Sequence, residues 1–411
     1  MSQIKPYIIH HFQLEQTNQP QFPDINEAGY YCVFWWKQIP LGHLYLRKGD
    51  KFTTAQLQQK TLDAIKPAID FYRHKNSITT DYEQAFLQKA SLFYQMMDAV
   101  FAASIPALIP NTVPVSVVIC TRNRSESLKK CLESLQHQVC MPQEIIVIDN
   151  APTDNSTQLV AEQFSTVSYY KELRPGLDIA RNTGAKNANY PLVAYTDDDV
   201  QVHPLWTYRV WEAFANENVH AITGLVISTS LDTESQQIFE KHWGFNKGYI
   251  DICFDQNFLK KPAPKVWEIG AGANMAFRKE VLTTLNFFDE RLDVGAAGCS
   301  GDSEMWYRIL AAGYNIQYVP LAVVFHEHRN QMAALHKQVF NYMRGHAASV
   351  LIQHDQNPNA GYKKYLYYDL PKYYLHLLIA GFPTYPFQYQ TWLSEVKGII
   401  SGVKFYKKNK T

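Results

Sequence analysis

A mostly parallel, doubly wound α/β sheet is the fold class that this sequence of 411 residues predicts, with further structure on either side of it. Three observations carry it. Short continuous apolar runs alternate with amphipathic stretches between Val115 and Tyr195. The turn after each run is polar, and the fourth begins with three consecutive acids, Asp197, Asp198 and Asp199. The length exceeds what one core usually organises, which leaves room for flanking units at both ends.

Residues 1–110 read as a separate accessory unit of mixed α and β character. Tyr30 to Trp36 is a β-rich run, Gln38 to Gly42 reads as a turn, and His43 to Arg47 as a second strand, so a hairpin is expected. Thr53 to Tyr72 carries Leu57, Leu62, Ile65, Ala68 and Ile69 at helical spacing. No catalytic pattern occurs here; docking a partner and simple structural capping both remain open. Asn111 to Pro114 has linker character. Val115 to Cys120 is then a buried strand, Thr121 to Arg124 a polar turn, and Ser125 the cap of a helix with Leu128, Cys131, Leu132 and Leu135 on one face. Glu144 to Ile148 is the next strand and ends in Asp149-Asn150. Leu159, Val160 and Phe164 mark a helix, Val167 to Tyr170 a strand, Gly176 to Ala188 a turn and helix, and Pro191 to Tyr195 the strand that runs into the acids. After Asn330 a helix with Leu335, Val339, Met343 and Val350 leads into Tyr362-Lys363-Lys364-Tyr365-Leu366-Tyr367-Tyr368. This tail, 331–411, reads as a helical aromatic-rich extension, and its lysines and aromatics also suit a membrane surface.

Composition excludes several classes. The net charge is +1 and charged residues are 19% of the chain, so nothing calls for a nucleic-acid partner. Aromatic residues reach 14%, which suits sugars, partners or a membrane interface as well as core packing. The six cysteines, Cys32, Cys120, Cys131, Cys140, Cys253 and Cys299, have no zinc-like spacing and read as reduced thiols. Met1 to Pro6 lacks the apolar run of a signal peptide and no stretch approaches a membrane span. A cytoplasmic location is expected, with the inner face of the membrane as the alternative.

Turns that follow successive parallel strands emerge on one edge of the sheet, so Thr121 to Arg124, Asp149 and Asp197 to Asp199 converge on one crevice. Three adjacent acids repel one another, and a hard divalent cation bridging to a phosphate would relieve the repulsion; a solvated acidic turn is the plain alternative. Asp149 is placed to accept a hydrogen bond from a base or ribose. No GxGxxG or GxxxxGK[ST] occurs, which leaves a metal-held nucleotide diphosphate.

Taken together, Val117 to Arg124, Ile146 to Asn150, Gly176 to Asn182, Tyr195 to Asp199, Gly270 to Arg278, Phe288 to Leu292, Gly301 to Glu304 with Arg308, and Ala322 to Arg329 resemble the family 2 glycosyltransferases of GT-A fold. The resemblance spans about 114–330. It implies an inverting, metal-dependent transfer from a nucleotide-sugar donor to a saccharide, lipid-linked or other hydroxyl acceptor, of the kind used in bacterial polysaccharide or glycoconjugate synthesis. By resemblance, Thr121, Asn123, Arg124, Asp149, Arg181, Asn182, Asp197 and Asp198 bind the nucleotide sugar. Asp199, Asp197 and His326 hold Mn²⁺ or Mg²⁺, with His328 as the alternative histidine. Members of the family open a helix near the acceptor with a Glu-Asp pair whose Asp is the base. Here Gly301 stands at the Glu position, which leaves Asp302 as the base and Glu304 in reserve; helix capping is the structural alternative for both acids. A non-catalytic sugar-nucleotide binder is the competing function. A nucleotidyltransferase lacks its Gly-rich triphosphate loop, and an aspartyl phosphatase would need an acid where Cys120-Thr121 stands.

Overall fold

A computed structural model describes residues 6–16, 21–22, 24–79, 81–88, 91–385 and 387–410. The start of the chain, Met1 to Lys5, lies outside them. Among the described residues, twelve strands form two sheets. The small one contains β1 (Tyr7–Gln13), β2 (Gly29–Trp36) and β3 (Ile39–Leu46) in that order, β1 parallel and β3 antiparallel to β2. The expected hairpin is therefore present, but its turn is not Gln38 to Gly42. Lys37 takes the left-handed conformation at φ 53° and reverses the chain at once, so Pro40, Leu41 and Gly42 already belong to β3. Gly42 is required there because the Thr54–Lys75 helix packs directly on it. A Cβ at this position would stand 2.1 Å from the carbonyl oxygen of Ala64. That helix begins as the pattern predicts, with Thr53 and Gln56 exchanging hydrogen bonds as a capping box.

The large sheet contains β4 (Thr112–Thr121), β5 (Met141–Asn150), β6 (Val167–Glu172), β7 (Leu192–Asp197), β8 (Val200–Val202), β9 (Ala221–Ser228), β10 (Ile252–Phe254), β11 (Asn274–Arg278) and β12 (Ile316–His326). The order is β10-β12-β9-β11-β7-β4-β5-β6, with β8 attached to β12. β4, β5, β6 and β7 are parallel, as their alternation with helices predicts. β11 then enters antiparallel between β7 and β9, and β9 pairs parallel with β12. This is the mixed α/β architecture with a parallel-rich sheet that the sequence predicts, followed by a helical carboxy-terminal region. The linker reading of Asn111 to Pro114 is corrected: Thr112 and Val113 already pair with Met141 and Pro142, and Pro114 falls where the register slips, so no ladder hydrogen bond is lost. The cap is corrected too. Ser125 is the first residue of the Ser125–Gln136 helix, whose capping position is Arg124, and no side chain caps it.

Strands buried on both faces explain the uninterrupted apolar runs. Val118, Ile146, Ile148 and Tyr195 point into one core, while Val117, Ile119, Ile145, Val147 and Ala194 point into another. The small sheet packs on the β9 and β12 side. Leu225, Ile227, Tyr318 and Val323 share one apolar cluster with Trp35, Trp36, Ile65 and Phe101, and Tyr7 bridges to Leu231. At the other end the long Met332–Gln356 helix buries Leu335, Val339, Met343 and Val350, as its spacing predicts. It crosses the Trp392–Lys408 helix at contact distance, since a Cβ on Gly402 would be 2.1 Å from the Arg344 carbonyl and one on Gly398 2.4 Å from that of Phe340. The six cysteines are unpaired, as expected. Among the described residues, no helix is long and apolar enough to cross a membrane.

Gly42→Ala is predicted to force the Thr54–Lys75 helix away from β3 and to lower stability by about 1–3 kcal/mol, the usual cost of overpacking. Chemical denaturation of the two proteins measures it; an unchanged midpoint and slope would show that the contact yields without cost.

Candidate active site

The sheet register builds the site. β4 pairs with β5 so that Thr121 lies opposite Asp149, and with β7 so that Cys120 lies opposite Asp197. The polar turns therefore leave one edge side by side, as parallel topology requires. Asn123 makes the turn possible by adopting the left-handed region at φ 53°, where asparagine is among the few tolerated side chains. Its Oδ1 accepts the backbone N–H of Thr153 at 3.0 Å and ties down the turn after β5. Asp149 is buried and accepts from the Tyr169 hydroxyl at 2.7 Å through Oδ2, while Oδ1 has no partner. Burial raises its proton affinity, against the pull of that hydrogen bond.

The three consecutive acids have three different environments. Asp198 is 3% exposed and accepts from Thr121 Oγ1 at 2.7 Å and from Arg124 Nη1 at 2.5 Å. Its pKa rises to about 6 because burial outweighs the attraction to Arg124. Asp199 receives the other arm of Arg124, Nη2, at 2.7 Å, with Nε2 of His326 at 3.4 Å and Arg329 at 3.6 Å. Burial alone would push Asp199 up, but His326, Arg124 and Arg329 together hold it at about 2. Asp197 lacks this support and rises to about 7, first through burial and then through the charge of Asp199. Arg124 thus bridges the second and third acids, with Arg329 adding to the third, while the first has no such ion pair.

Asp197, Asp199 and His326 offer ligand atoms that all lie within 4.8 Å of one another. Two carboxylates and an imidazole suit a small divalent cation that accepts oxygen and nitrogen. The histidine is prepared for such a role by residues behind it. His326 Nδ1 lies 3.0 Å from His328 Nδ1, and His328 Nε2 lies 2.8 Å from Glu240 Oε2. A carboxylate accepts only, so His328 Nε2 carries a proton toward Glu240. Nδ1 of His328 can then accept from Nδ1–H of His326, which leaves the lone pair of His326 Nε2 facing Asp199. Burial lowers the His326 pKa to about 4, so the ring is neutral at pH 7 and Arg124 is what keeps Asp199 ionised there. The two histidines that the sequence offers as alternatives thus stand in series. Glu240 comes from the capped Glu234–His242 helix and carries no motif that would have revealed it.

The acceptor-side acids differ as well. Asp302 opens the Gly301–Ala311 helix, is partly exposed, and accepts from the Gly272 N–H at 2.8 Å and the Ser303 N–H at 2.7 Å. Burial raises its proton affinity, opposed by Arg181. Glu304 is 1% exposed and is held by Arg308 Nε at 2.8 and 2.7 Å. Arg308 also donates to the carbonyls of Leu285 and Phe287, so this pair fastens a loop to the helix. Arg181 is buried between Asp178, at 2.8 Å, and Asp293, at 2.7 Å. Asn182 exchanges hydrogen bonds with the backbone of Phe288.

Residues 116–285 match the family model described as glycosyl transferase family 2. Glycosyltransferase AglE of Haloferax volcanii is 26% identical over 236 residues, which cover 56% of this chain and 72% of that protein. The pre-mycofactocin glycosyltransferase of Mycobacterium tuberculosis is 24% identical over 247 residues, 59% of this chain and about half, 49%, of its own length. Among solved structures, mannosyltransferase PcManGT from Pyrobaculum calidifontis, in complex with GDP-Man and Mn²⁺, has a TM-score of 0.48 at 18% identity, covering 84% of this chain and 100% of its own.

Asp198→Ala is predicted to destabilise the protein by about 1–3 kcal/mol, because Thr121 and one arm of Arg124 lose a buried partner. Denaturant unfolding monitored by tryptophan fluorescence gives the difference; a loss below a few tenths of a kcal/mol would place the burden on Asp199 alone.

Proposed function

We propose that this chain, whose residues 116–285 are a family 2 glycosyltransferase domain, transfers a sugar from a nucleoside-diphosphate donor to a hydroxyl acceptor with inversion at the anomeric carbon. The observation that supports the reading is the cluster of Asp197, Asp199 and His326, with a separate, partly exposed Asp302 that shares the influence of Arg181 with Asp197. Within it, 1–110 is the accessory region, 114–330 the transferase domain and 331–411 the helical extension. Mn²⁺ or Mg²⁺ held by Asp197, Asp199 and His326 would offset the negative charge that develops on the departing diphosphate. Thr121, Asn123 and Asp149 take the nucleoside end, Asp149 through the Oδ1 that has no partner in the protein. Arg124 keeps Asp198 and Asp199 in place. On the acceptor side, Asp302 takes the proton of the attacking hydroxyl, and two backbone N–H groups hold its carboxylate for that step. Glu304 fits a structural part, since both its oxygens face Arg308. With one base and no protein nucleophile, the anomeric configuration inverts.

The acceptor is a saccharide or another hydroxyl compound, and the carboxy-terminal extension favours one presented at the cytoplasmic face of an anionic membrane. Tyr368, Leu375, Ile379 and Phe382 are all more than half exposed and recur at helical spacing, with Lys364 and Lys372 on the same stripe. From Gly361 onward the sequence has eight lysines against two acids, although the whole chain is only +1. Each lysine near an anionic surface contributes roughly 1 kcal/mol.

Four outcomes follow from these assignments. Asp199→Ala should abolish the Mn²⁺ dependence of nucleoside-diphosphate binding in calorimetry, and retention of that dependence would remove the cation from this cluster. Asp302→Asn should preserve diphosphate affinity while nucleoside-diphosphate release from the donor falls by about 10²- to 10⁴-fold, the worth of a general base. Glu304→Gln should instead lower the melting temperature with little effect on turnover; the opposite pattern would make Glu304 the base. Ile379→Ser with Phe382→Ser should lose co-sedimentation with phosphatidylglycerol vesicles, and equal binding to neutral phosphatidylcholine vesicles by the parent protein would reject the charge argument.

A further inference from the structure

The Gly301–Ala311 helix opens with a residue that has no side chain, and the space beside it is occupied. A Cβ built on Gly301 would lie 2.0 Å from Oδ2 of Asp178 and 2.5 Å from its Oδ1. The carboxylate of Asp178, on the Leu177–Asn187 helix, therefore fills the volume that a side chain at 301 would need. It is 1% exposed, and its Oδ2 has no hydrogen-bond partner. Leaving a buried carboxylate oxygen unpaired is costly, and an apolar side chain would avoid the cost. Its other oxygen accepts from Nη1 of Arg181 at 2.8 Å, and the same nitrogen reaches Asp293 at 2.7 Å. The second terminal nitrogen of Arg181 lies against Gly272, where a Cβ would approach it to 2.7 Å. Gly272 in turn donates its N–H to Oδ2 of Asp302 at 2.8 Å. Asp178, Arg181, the Gly272 backbone and Asp302 thus form one line of contacts, and it passes through two positions where only glycine fits.

We infer that Asp178 is the partner carboxylate of Asp302: it enters from the neighbouring helix through the space left open at Gly301 and, by holding Arg181 against Gly272, sets the position and charge environment of the Asp302 carboxylate. Asp178 is a positioning residue, and the inference rests on the reading of Asp302 as the base. It also accounts for the departure of Gly301 from the paired-acid pattern, because the second acid comes from another part of the chain. The groups that act electrostatically on or with Asp302 are Asp178 and Arg181 on the one helix, with Asp293, Lys247, Cys299 and Tyr342 around them. Arg181 is the cation buried in this group, shared among the carboxylates. Burial, and then the charge of Asp293, push the Asp178 carboxyl well up. Removing Asp178 frees the guanidinium of Arg181 to act more fully on Asp302, which favours the ionised form of Asp302.

The test uses the full chain, with Asp178→Ala, Gly301→Glu and the two combined. The Asp302 carboxyl is titrated by carbon-13 NMR, its signal assigned by its disappearance in Asp302→Asn. Its midpoint is expected to fall in Asp178→Ala and to return toward the parent value in the double variant, where a carboxylate is supplied from position 301. Gly301→Glu alone should have the lowest melting temperature of the set, because it collides with Asp178, and the double variant should recover. With Mn²⁺ and a panel of UDP- and GDP-sugars, Asp178→Ala should lower nucleoside-diphosphate release by about 10- to 100-fold without changing diphosphate affinity, and the double variant should regain most of it. Should Asp178→Ala melt below the assay temperature, Asp178→Asn keeps the shape but is a weaker acceptor for Arg181, and should show a smaller fall in midpoint of the same sign. An unchanged Asp302 midpoint overturns the inference, as does a loss of turnover that the double variant does not rescue. If the parent protein turns over no donor in the panel, the glycosyltransferase reading fails, while the titration and melting data still decide whether Asp178 governs Asp302.

Discussion

Three carboxylates in succession cannot be drawn into a protein edge unless their charge is answered, and in this molecule the answer is Arg124. Its two terminal nitrogens hold Asp198 and Asp199 separately, and Thr121 closes the other side of Asp198. The guanidinium belongs to the turn after β4 and the acids to the turn after β7, so the contact locks two neighbouring loops into one wall. Everything proposed for the site depends on that lock. It keeps Asp199 ionised beside His326 and separates an acid with a structural duty, Asp198, from the two that face the ligand cluster.

The parallel half of the fold was legible because its strands are buried on both faces and its helices on one. Those conditions write themselves into sequence as continuous apolar runs and 3.6-residue spacing. The crevice was legible for a related reason, since parallel topology delivers successive turns to the same edge. What the sequence concealed is non-local. β11 carries an ordinary short apolar run, and nothing in Asn274 to Arg278 says that it inserts antiparallel between β7 and β9. Glu240 is an unremarkable helix acid until folding brings it to 2.8 Å from His328. Local turn chemistry also misled: Lys37 reverses the chain where a Gly-containing stretch nearby looked better suited, because contact with the Thr54–Lys75 helix, not conformational freedom, is why Gly42 is a glycine.

The same distinction separates candidate residues that the crevice gathers from those it does not. Thr121, Asn123, Arg124, Asp149, Asp197, Asp198 and Asp199 all lie at the ends of β4, β5 or β7 or just after them, so strand register brings them together. Arg181 and Asn182 lie within a helix, and side chains on a helix serve whichever neighbour packs against them. Asn182 is claimed by the Phe288 backbone and Arg181 by a group of buried acids. Asp302 and Glu304, two residues apart on one helix, point to different surroundings, so adjacency in sequence says little about shared chemistry.

Glycines in the carboxy-terminal half bring the last helices unusually near to the centre of the molecule. Gly398 and Gly402 let the Trp392–Lys408 helix press on the Met332–Gln356 helix, and Gly345 of the latter lies against Cys299, where a Cβ would come within 2.3 Å of its carbonyl. Cys299 is three residues before Asp302. The tail therefore works as a buttress: at Gly398, Gly402 and Gly345 backbone bears on backbone, from the Trp392–Lys408 helix through the Met332–Gln356 helix to the foot of the Gly301–Ala311 helix. Such a stack has little mechanical slack, and a load applied to the outermost helix is borne by the turn that carries Asp302.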